Sequence, residues 1–478
     1  MAKLLVVISA LIALSAATED IFFSEKYIPK AAHIQAEFIH NGSYFPKLDH
    51  FRPQDTRTAH FHYRLNLDHY EEGGPIFVFV NSADETTTEW IERGLMVDAA
   101  REVGAAVVTT DHRYVRLNIP TETAAFDELV FLTVDQAVAD IATLVVTLYD
   151  HLGKDNDATV ILWGNGYGAA LATFARKKYP HLIDGVFASS GTFRAEVFDT
   201  SYHDSLSSNL LRHGSLECHT RVRNAFDILL YLFENNQSDY IRERLRLCAA
   251  VDPDDEQEVG LLFELFIDLI SNYVRQHHLF GIQNFCRDMT YYPEDNLNNL
   301  IRWALHVYGY EFEECIDTDY DRLITRLAET DWEESAYPRL RAYAYLRCTQ
   351  IAAFRITSDY ELTAFPSLLD AEYHFQFCED IFGESYDRDA LEQAVQNLNT
   401  VFGGQEQVVP FVIFTNAGLD PWIGHGVSEY HLEDGAVIFI NYSAGGADLS
   451  SIAPDDPMEL ARAKQLIFDT VVEWSNRS

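Results

Sequence analysis

Apolar residues along the chain fall into two regimes. In the first, short runs rich in β-branched and aromatic residues, within "GGPIFVFVNSADE", "GAAVVTTDHRY" and "ATVILWGNGYG", alternate with stretches of helical period such as "TEWIERGLMVDAAREV" and "TVDQAVADIATLVVTLYDHL". That alternation predicts a mainly parallel sheet covered by helices, an α/β fold. After "GVFASSG", at about residue 192, the pattern changes. From there to about residue 400 the period is helical, as in "RVRNAFDILLYLFENN" and "LLFELFIDLISNYVRQ". Strand-like "VVPFVIFTNAG" and "GAVIFINYSAG", then the helical "DPMELARAKQLIFDTVVEWS", restore the first regime. The expected organisation is a core over residues 18–192, an inserted helical unit over 193–404, and the rest of the core over 405–478.

The first residues combine Lys3, an apolar run from Leu4 to Leu14 and small residues Ser15 to Ala17, which predicts a signal peptide over residues 1–17. No later stretch has the roughly 18 uncharged apolar residues of a membrane span, so an exported, soluble protein without such a span is expected. The expected location is extracellular, with a lysosomal or other secretory-pathway lumen as the alternative. Six cysteines, Cys218, Cys248, Cys286, Cys315, Cys348 and Cys378, all fall in the helical segment, and an even count in an exported chain favours disulfides over metal ligation. Sequons at Asn41, Asn236, Asn441 and Asn476 fit the same compartment as glycosylation sites. With 74 acidic against 35 basic residues the net charge is −39, which opposes binding to nucleic acid or anionic lipid. It suits a solubilising surface, or attraction of a basic protein partner. No metal site is expected, because no HExxH spacing or carboxylate-histidine cluster occurs, and "HFH" (His60 to His62) fits strand alternation.

The stretch "VILWGNGYGAALATFARKKYP", Val160 to Pro180, reads as a strand, a glycine-rich elbow and a helix. An elbow of the form G-x-S-x-G exposes a serine hydroxyl above a sheet, beside backbone N–H groups that can face an oxyanion. Here Gly164 and Gly168 flank Gly166, which has no side chain to attack a carbonyl.

Together with this elbow, "KLDHF" (Lys47 to Phe51), "GGPIFVF" (Gly73 to Phe79), "DHRYVRLNIP" (Asp111 to Pro120), "FLTVDQAVAD", "NAGLDPW" (Asn416 to Trp422) and "DPMELARA" resemble the serine peptidases that include lysosomal prolyl carboxypeptidase, proline-specific dipeptidyl peptidase and thymus-specific serine protease. The resemblance implies an α/β-hydrolase core bearing a helical, disulfide-linked cap, with the pairs Cys218–Cys286, Cys248–Cys315 and Cys348–Cys378. It also implies a Ser…Asp…His triad, whose positions fall on Gly166, Asp420 and the pair Gly445 and Gly446 in "AGGADL". The family's Gly-Gly-Glu after the first core strand is replaced by Asn81-Ser82-Ala83.

On these replacements the expectation is a protein that is not an enzyme: a catalytically inactive peptidase homologue, without cofactor, in a structural, self-associating or binding role. The resemblance implies a homodimer, and a homodimer or higher self-assembly is expected. One alternative is peptide capture in the inherited cleft. The other is weak prolyl peptidase activity from a relocated triad using Ser189, Ser190 or His425.

Overall fold

One sheet carries β1 (Ile39–Tyr44), β2 (Phe61–Asn66), β3 (Ile76–Val80), β4 (Ala106–Thr110), β5 (Val160–Asn165), β6 (Gly185–Ser189), β7 (Val412–Ala417) and β8 (Ala436–Ile440), in the order β1-β2-β4-β3-β5-β6-β7-β8. The structure is a computed structural model that describes residues 39–477 apart from 84–88, 154–157, 294, 310–314, 334–335, 359–362 and 430–433. The expected signal peptide lies outside the described residues. Pairing is parallel from β4 to β8, and antiparallel where β2 joins β1 and β4. The runs β3 to β7 are buried over nearly all their length, as strands covered on both faces must be.

Helices α1 (Leu95–Val103), α2 (Val134–His151) and α3 (Tyr167–Lys178) follow β3, β4 and β5. The expected helix over "TEWIERGLMVDAAREV" starts late. Gly94 at φ 104° interrupts it, so that Glu89–Ile91 forms a separate 3₁₀ turn before α1. By contrast α2 starts where its pattern does, because the Thr133 hydroxyl accepts the Gln136 N–H. One face of the sheet buries Phe77, Val107, Ile161, Trp163 and Phe187 against α1 and the C-terminal helix Met458–Ser475. Trp163 meets Phe187 edge to face with ring centroids 5.1 Å apart. Each such buried side chain contributes roughly 1.5–3 kcal/mol by leaving water.

The chain divides into two compact units, one containing the sheet up to Ala195 and again from Ala394, the other Glu196–Gln393. In the second, α4 (Leu216–Glu234) and α5 (Glu256–Met289) are joined by the disulfide Cys218–Cys286, while Cys248–Cys315 and Cys348–Cys378 tie later segments. Among the described residues no cysteine is free. Phe226 of α4 packs on Phe263 and Phe266 of α5. Beside this apolar layer lies a buried ionic cluster. Arg355 donates to Glu264 at 2.9 Å and to Asp268, both on α5, and Tyr373 donates to Glu264 at 3.2 Å. Burial, with Glu264 beside it, pushes the Asp268 carboxyl up to about 7, whereas Glu264 is held below its ordinary value by Arg355 against the pull of burial. His374, stacked on Phe354 at 4.6 Å, is pushed down to about 3 by burial.

No helix among the described residues is long and apolar enough to cross a membrane. No group of three His, Cys, Asp or Glu among them could hold a metal ion.

Candidate active site

The turn from β5 into α3 has the geometry of a nucleophile elbow, and its three glycines are there for two different reasons. A Cβ on Gly164 would lie 2.6 Å from the Gly168 backbone, and one on Gly168 would lie 2.3 Å from the Val80 carbonyl oxygen. Strand and helix approach so closely that neither position accepts a side chain. Gly166 differs: at φ 54° and ψ −123° its conformation strains any other residue, yet a Cβ built there meets no described atom within 4 Å. Its N–H donates to the Ser189 carbonyl at 3.1 Å, and its own carbonyl accepts from Thr192 at 3.2 Å. The elbow is fixed on both sides while its tip faces open space.

Across the sheet, "NAGLDPW" and "AGGADL" converge on the same place. Asp420 is buried and caps the short helix Pro421–His425, accepting the Trp422 N–H at 3.1 Å. A Cβ on Gly445 would lie 2.5 Å from Asp420 Oδ2 and 3.5 Å from the Ser190 Cβ. A Cβ on Gly446 would lie 3.3 Å from the side-chain nitrogen of Asn165, the residue before the elbow tip. The structure thus brings Gly166, Asp420, Gly445 and Gly446 together from three distant segments. Asp420 Oδ2 fills the space in which a side chain at position 445 would begin.

Asn81 turns inward, donating to Thr109 Oγ1 at 3.0 Å and to the Thr110 carbonyl at 3.1 Å, while the Gly168 N–H donates to Ser82 Oγ at 3.3 Å. A hydroxyl therefore already stands at the first turn of α3. Ser190 holds a left-handed backbone at φ 45°, an uncommon conformation for a residue with a side chain. The His425 ring lies 2.7 Å from the Arg194 carbonyl through Nδ1, and its ring centroid is 5.2 Å from that of Trp422.

Two buried networks beside the site escaped sequence reasoning. Asp448 accepts from Ser189 at 2.6 Å and from Thr415 at 2.5 Å, tying "AGGADL" to the ends of β6 and β7. Burial raises its carboxyl above the usual range although both hydroxyls stabilise the charged form. In the second network three of the quoted motifs meet. Arg113 of "DHRY" grips Asp140 of "FLTVDQAVAD" at 2.7 and 2.8 Å, and His50 of "KLDHF" lies 2.8 Å from the same carboxylate. His112, pushed down to about 4 by burial, sets its ring 5.8 Å from that of Tyr167, the first residue of α3. These contacts hold the loop after β4 against α2, and His112 sets it beside the start of α3. The four sequon asparagines, Asn41, Asn236, Asn441 and Asn476, are all exposed.

A parallel-centred sheet with an elbow after β5, and an acidic residue after β7, defines an α/β-hydrolase. The profile of the serine carboxypeptidase S28 family matches residues 46–467, and the chain belongs to that family. It is 26 % identical to the human thymus-specific serine protease, over 89 % of this chain and 85 % of that protein. Identity is 24 % to the bovine lysosomal Pro-X carboxypeptidase, over 90 % and 86 %. It is 25 % to prolyl carboxy peptidase like protein 5 of Caenorhabditis elegans, over 86 % and 85 %.

The expectation that the chain is not an enzyme is corrected by these findings, since the family and the relatives' names point to an enzyme. That expectation rested on the replacements at positions 166, 445 and 446 and at Asn81-Ser82-Ala83. The structure puts the Ser82 hydroxyl 3.3 Å from the Gly168 N–H, and it puts Ser190, which belongs to the relocated-triad alternative, beside position 445. A lysosomal or secretory-pathway lumen fits the disulfides and the lysosomal relative.

Proposed function

We propose that this member of the S28 serine peptidase family engages peptides over the elbow at the carboxyl ends of β3, β5, β6 and β7, where open α/β sheets place their ligands. In this reading Gly166, Asp420, Gly445 and Gly446 stand at the positions of the family's triad. The observation that carries it is the tip itself, where Gly166 keeps the elbow conformation and leaves the space above it clear. A peptide carbonyl can descend there onto backbone N–H groups at the start of α3 without meeting a side chain at position 166. We place the protein in the lumen of the secretory pathway or outside the cell, with the exposed sequons glycosylated.

A second reading follows from Ser190. Its strained backbone, its place beside Asp420 and Gly445, and the relatives' names all favour hydrolysis by a hydroxyl displaced from the elbow tip. Asp420 and Ser190 both border position 445 in this arrangement.

One experiment serves both readings. Proline-containing peptides are titrated into the purified protein while products are followed by mass spectrometry, with Gly166→Phe as the blocking variant. Saturable binding that Gly166→Phe abolishes is expected, and cleavage that Ser190→Ala removes would establish the second reading. Unchanged binding by a correctly folded Gly166→Phe protein would overturn the proposed site.

A further inference from the structure

Basic residues are outnumbered about two to one in this chain, 35 against 74. Four arginines nevertheless line a single groove of the helical unit, of about 1060 Å³: Arg244, Arg246, Arg287 and Arg302. All four are exposed. The Arg246 side chain makes no hydrogen bond or ion pair among the described residues. Arg287 has only the neighbouring Asp288, 3.6 Å away and itself solvated. Arg302 donates to Asn299 at 2.6 Å and lays its guanidinium 4.2 Å from the Tyr292 ring centroid, which fixes its plane.

The apolar half of the groove is equally unusual. Tyr291 and Tyr292 are 66 % and 47 % exposed, with their rings edge to face at 4.7 Å. Trp303, 2 % exposed and packed on Phe285 at 4.6 Å, forms the floor of the groove. Arginine, tyrosine and tryptophan together are the composition of protein-binding hot spots.

The charge pattern narrows the ligand. Glu243, Asp288 and Asp295 also line the groove, so among the described residues it is of mixed sign with arginine in slight excess. A dense polyanion would meet those carboxylates. A peptide with spaced acidic side chains can pair with the arginines and stack on the exposed tyrosines.

We propose that this groove binds an acidic, aromatic-containing peptide segment of a partner protein, at a site separate from the elbow. The sign is opposite to that of the basic partner which the overall charge suggests. Contact rests on planar guanidinium–carboxylate pairs, which are stronger than neutral hydrogen bonds and depend on salt.

The test is fluorescence polarisation of the full chain with a labelled short peptide of alternating Glu and Tyr. A matched peptide with Gln for Glu and a heparin fragment serve as comparisons. The expected result is saturable binding that weakens with added salt and falls by about tenfold or more in the Arg246→Ala/Arg302→Ala variant. Arg302→Lys, which keeps the charge and loses the plane, falls most of the way as well, and Arg101→Ala on α1 has no effect. Circular dichroism confirms that these surface variants fold. Equal binding of the Gln peptide, an unchanged double variant, or no binding below about 1 mM would overturn the proposal. Tighter binding of the heparin fragment at the same arginines would overturn it in favour of a sulfated glycan.

Discussion

Replacing the elbow glycines one at a time by alanine separates steric from conformational demand. At Gly168 the new methyl carbon falls 2.3 Å from the Val80 carbonyl oxygen and 3.2 Å from the Asn81 carbonyl carbon, both backbone atoms of the sheet's central strand and its exit. Restoring ordinary contact requires α3 to withdraw from β3 by about 1 Å. That helix is buried from Gly168 to Arg176, so the shift opens voids along two turns. Overpacking of this kind ordinarily costs about 1–3 kcal/mol, and the backbone on both sides of this contact puts Gly168→Ala at or above the upper end. At Gly166 there is no contact at all, and the cost is the left-handed backbone alone, about 1–3 kcal/mol. The assay is urea unfolding followed through tryptophan emission, to which Trp163 on β5 contributes from beside the elbow. Expected destabilisation runs Gly168→Ala above Gly166→Ala. A Gly168→Ala protein no less stable than Gly166→Ala would refute the close approach of strand and helix. A Gly166→Ala protein more stable than the parent would refute the left-handed tip.

Three further outcomes are expected. The raised Asp268 carboxyl holds its proton in the folded state up to about pH 7 and releases it near its ordinary value when unfolded, so its contribution is complete in acid and is lost as pH rises toward 7, by about 1.4 kcal/mol per unit. Stability measured at pH 5 and pH 7 for Asp268→Asn should lack that loss, and an unaltered pH slope would contradict the buried assignment. His374, pushed down to about 3, acts in the opposite sense: the unfolded chain takes up its proton below about pH 6.5 and the folded one does not, so stability falls on acidification through that window and His374→Phe should flatten the fall. Serines in place of Cys348 and Cys378, which are 30 residues apart in sequence, should cost about 4 kcal/mol in the chain-entropy picture, read as a lowered unfolding midpoint for the helical unit; no change would mean that the link does not restrain the unfolded chain.

Most of the sheet is legible in the sequence because β3 to β7 are buried on both faces, so that their composition carries the signal without help from tertiary context. The antiparallel pair β1 and β2 is weaker. Asn41 and Ser43 on β1 are exposed polar positions on an edge strand, and only the register against β2 shows why they pair. The elbow is readable from three glycines in five residues, yet their separate roles are not, since the atom that forbids a side chain at Gly168 is the carbonyl oxygen of Val80, at the end of β3. Disulfide pairing came only through resemblance, as six cysteines admit 15 connectivities. The networks around Asp448 and Asp140 stayed hidden for a physical reason as well. Each satisfies a buried carboxylate with partners from remote segments, such as Ser189 and Asp448 at a separation of 259 residues, and no local periodicity encodes that. The corrected expectation of a non-enzyme gave the replacements at positions 166, 445 and 446 more weight than the relocated-triad alternative at Ser190, whose place beside position 445 shows only in three dimensions.

The most direct test of the peptide site is photo-crosslinking. A proline-containing peptide carrying a benzophenone group is bound to the native protein, irradiated, and the adducts are mapped by mass spectrometry, with unlabelled peptide as competitor. The account predicts competable adducts on the segment around Gly166 and Tyr167 and on that around Gly445 and Asp448, with loss of both in Gly166→Phe. Adducts confined to residues 196–393, or adducts at the elbow that excess peptide does not displace, would contradict it.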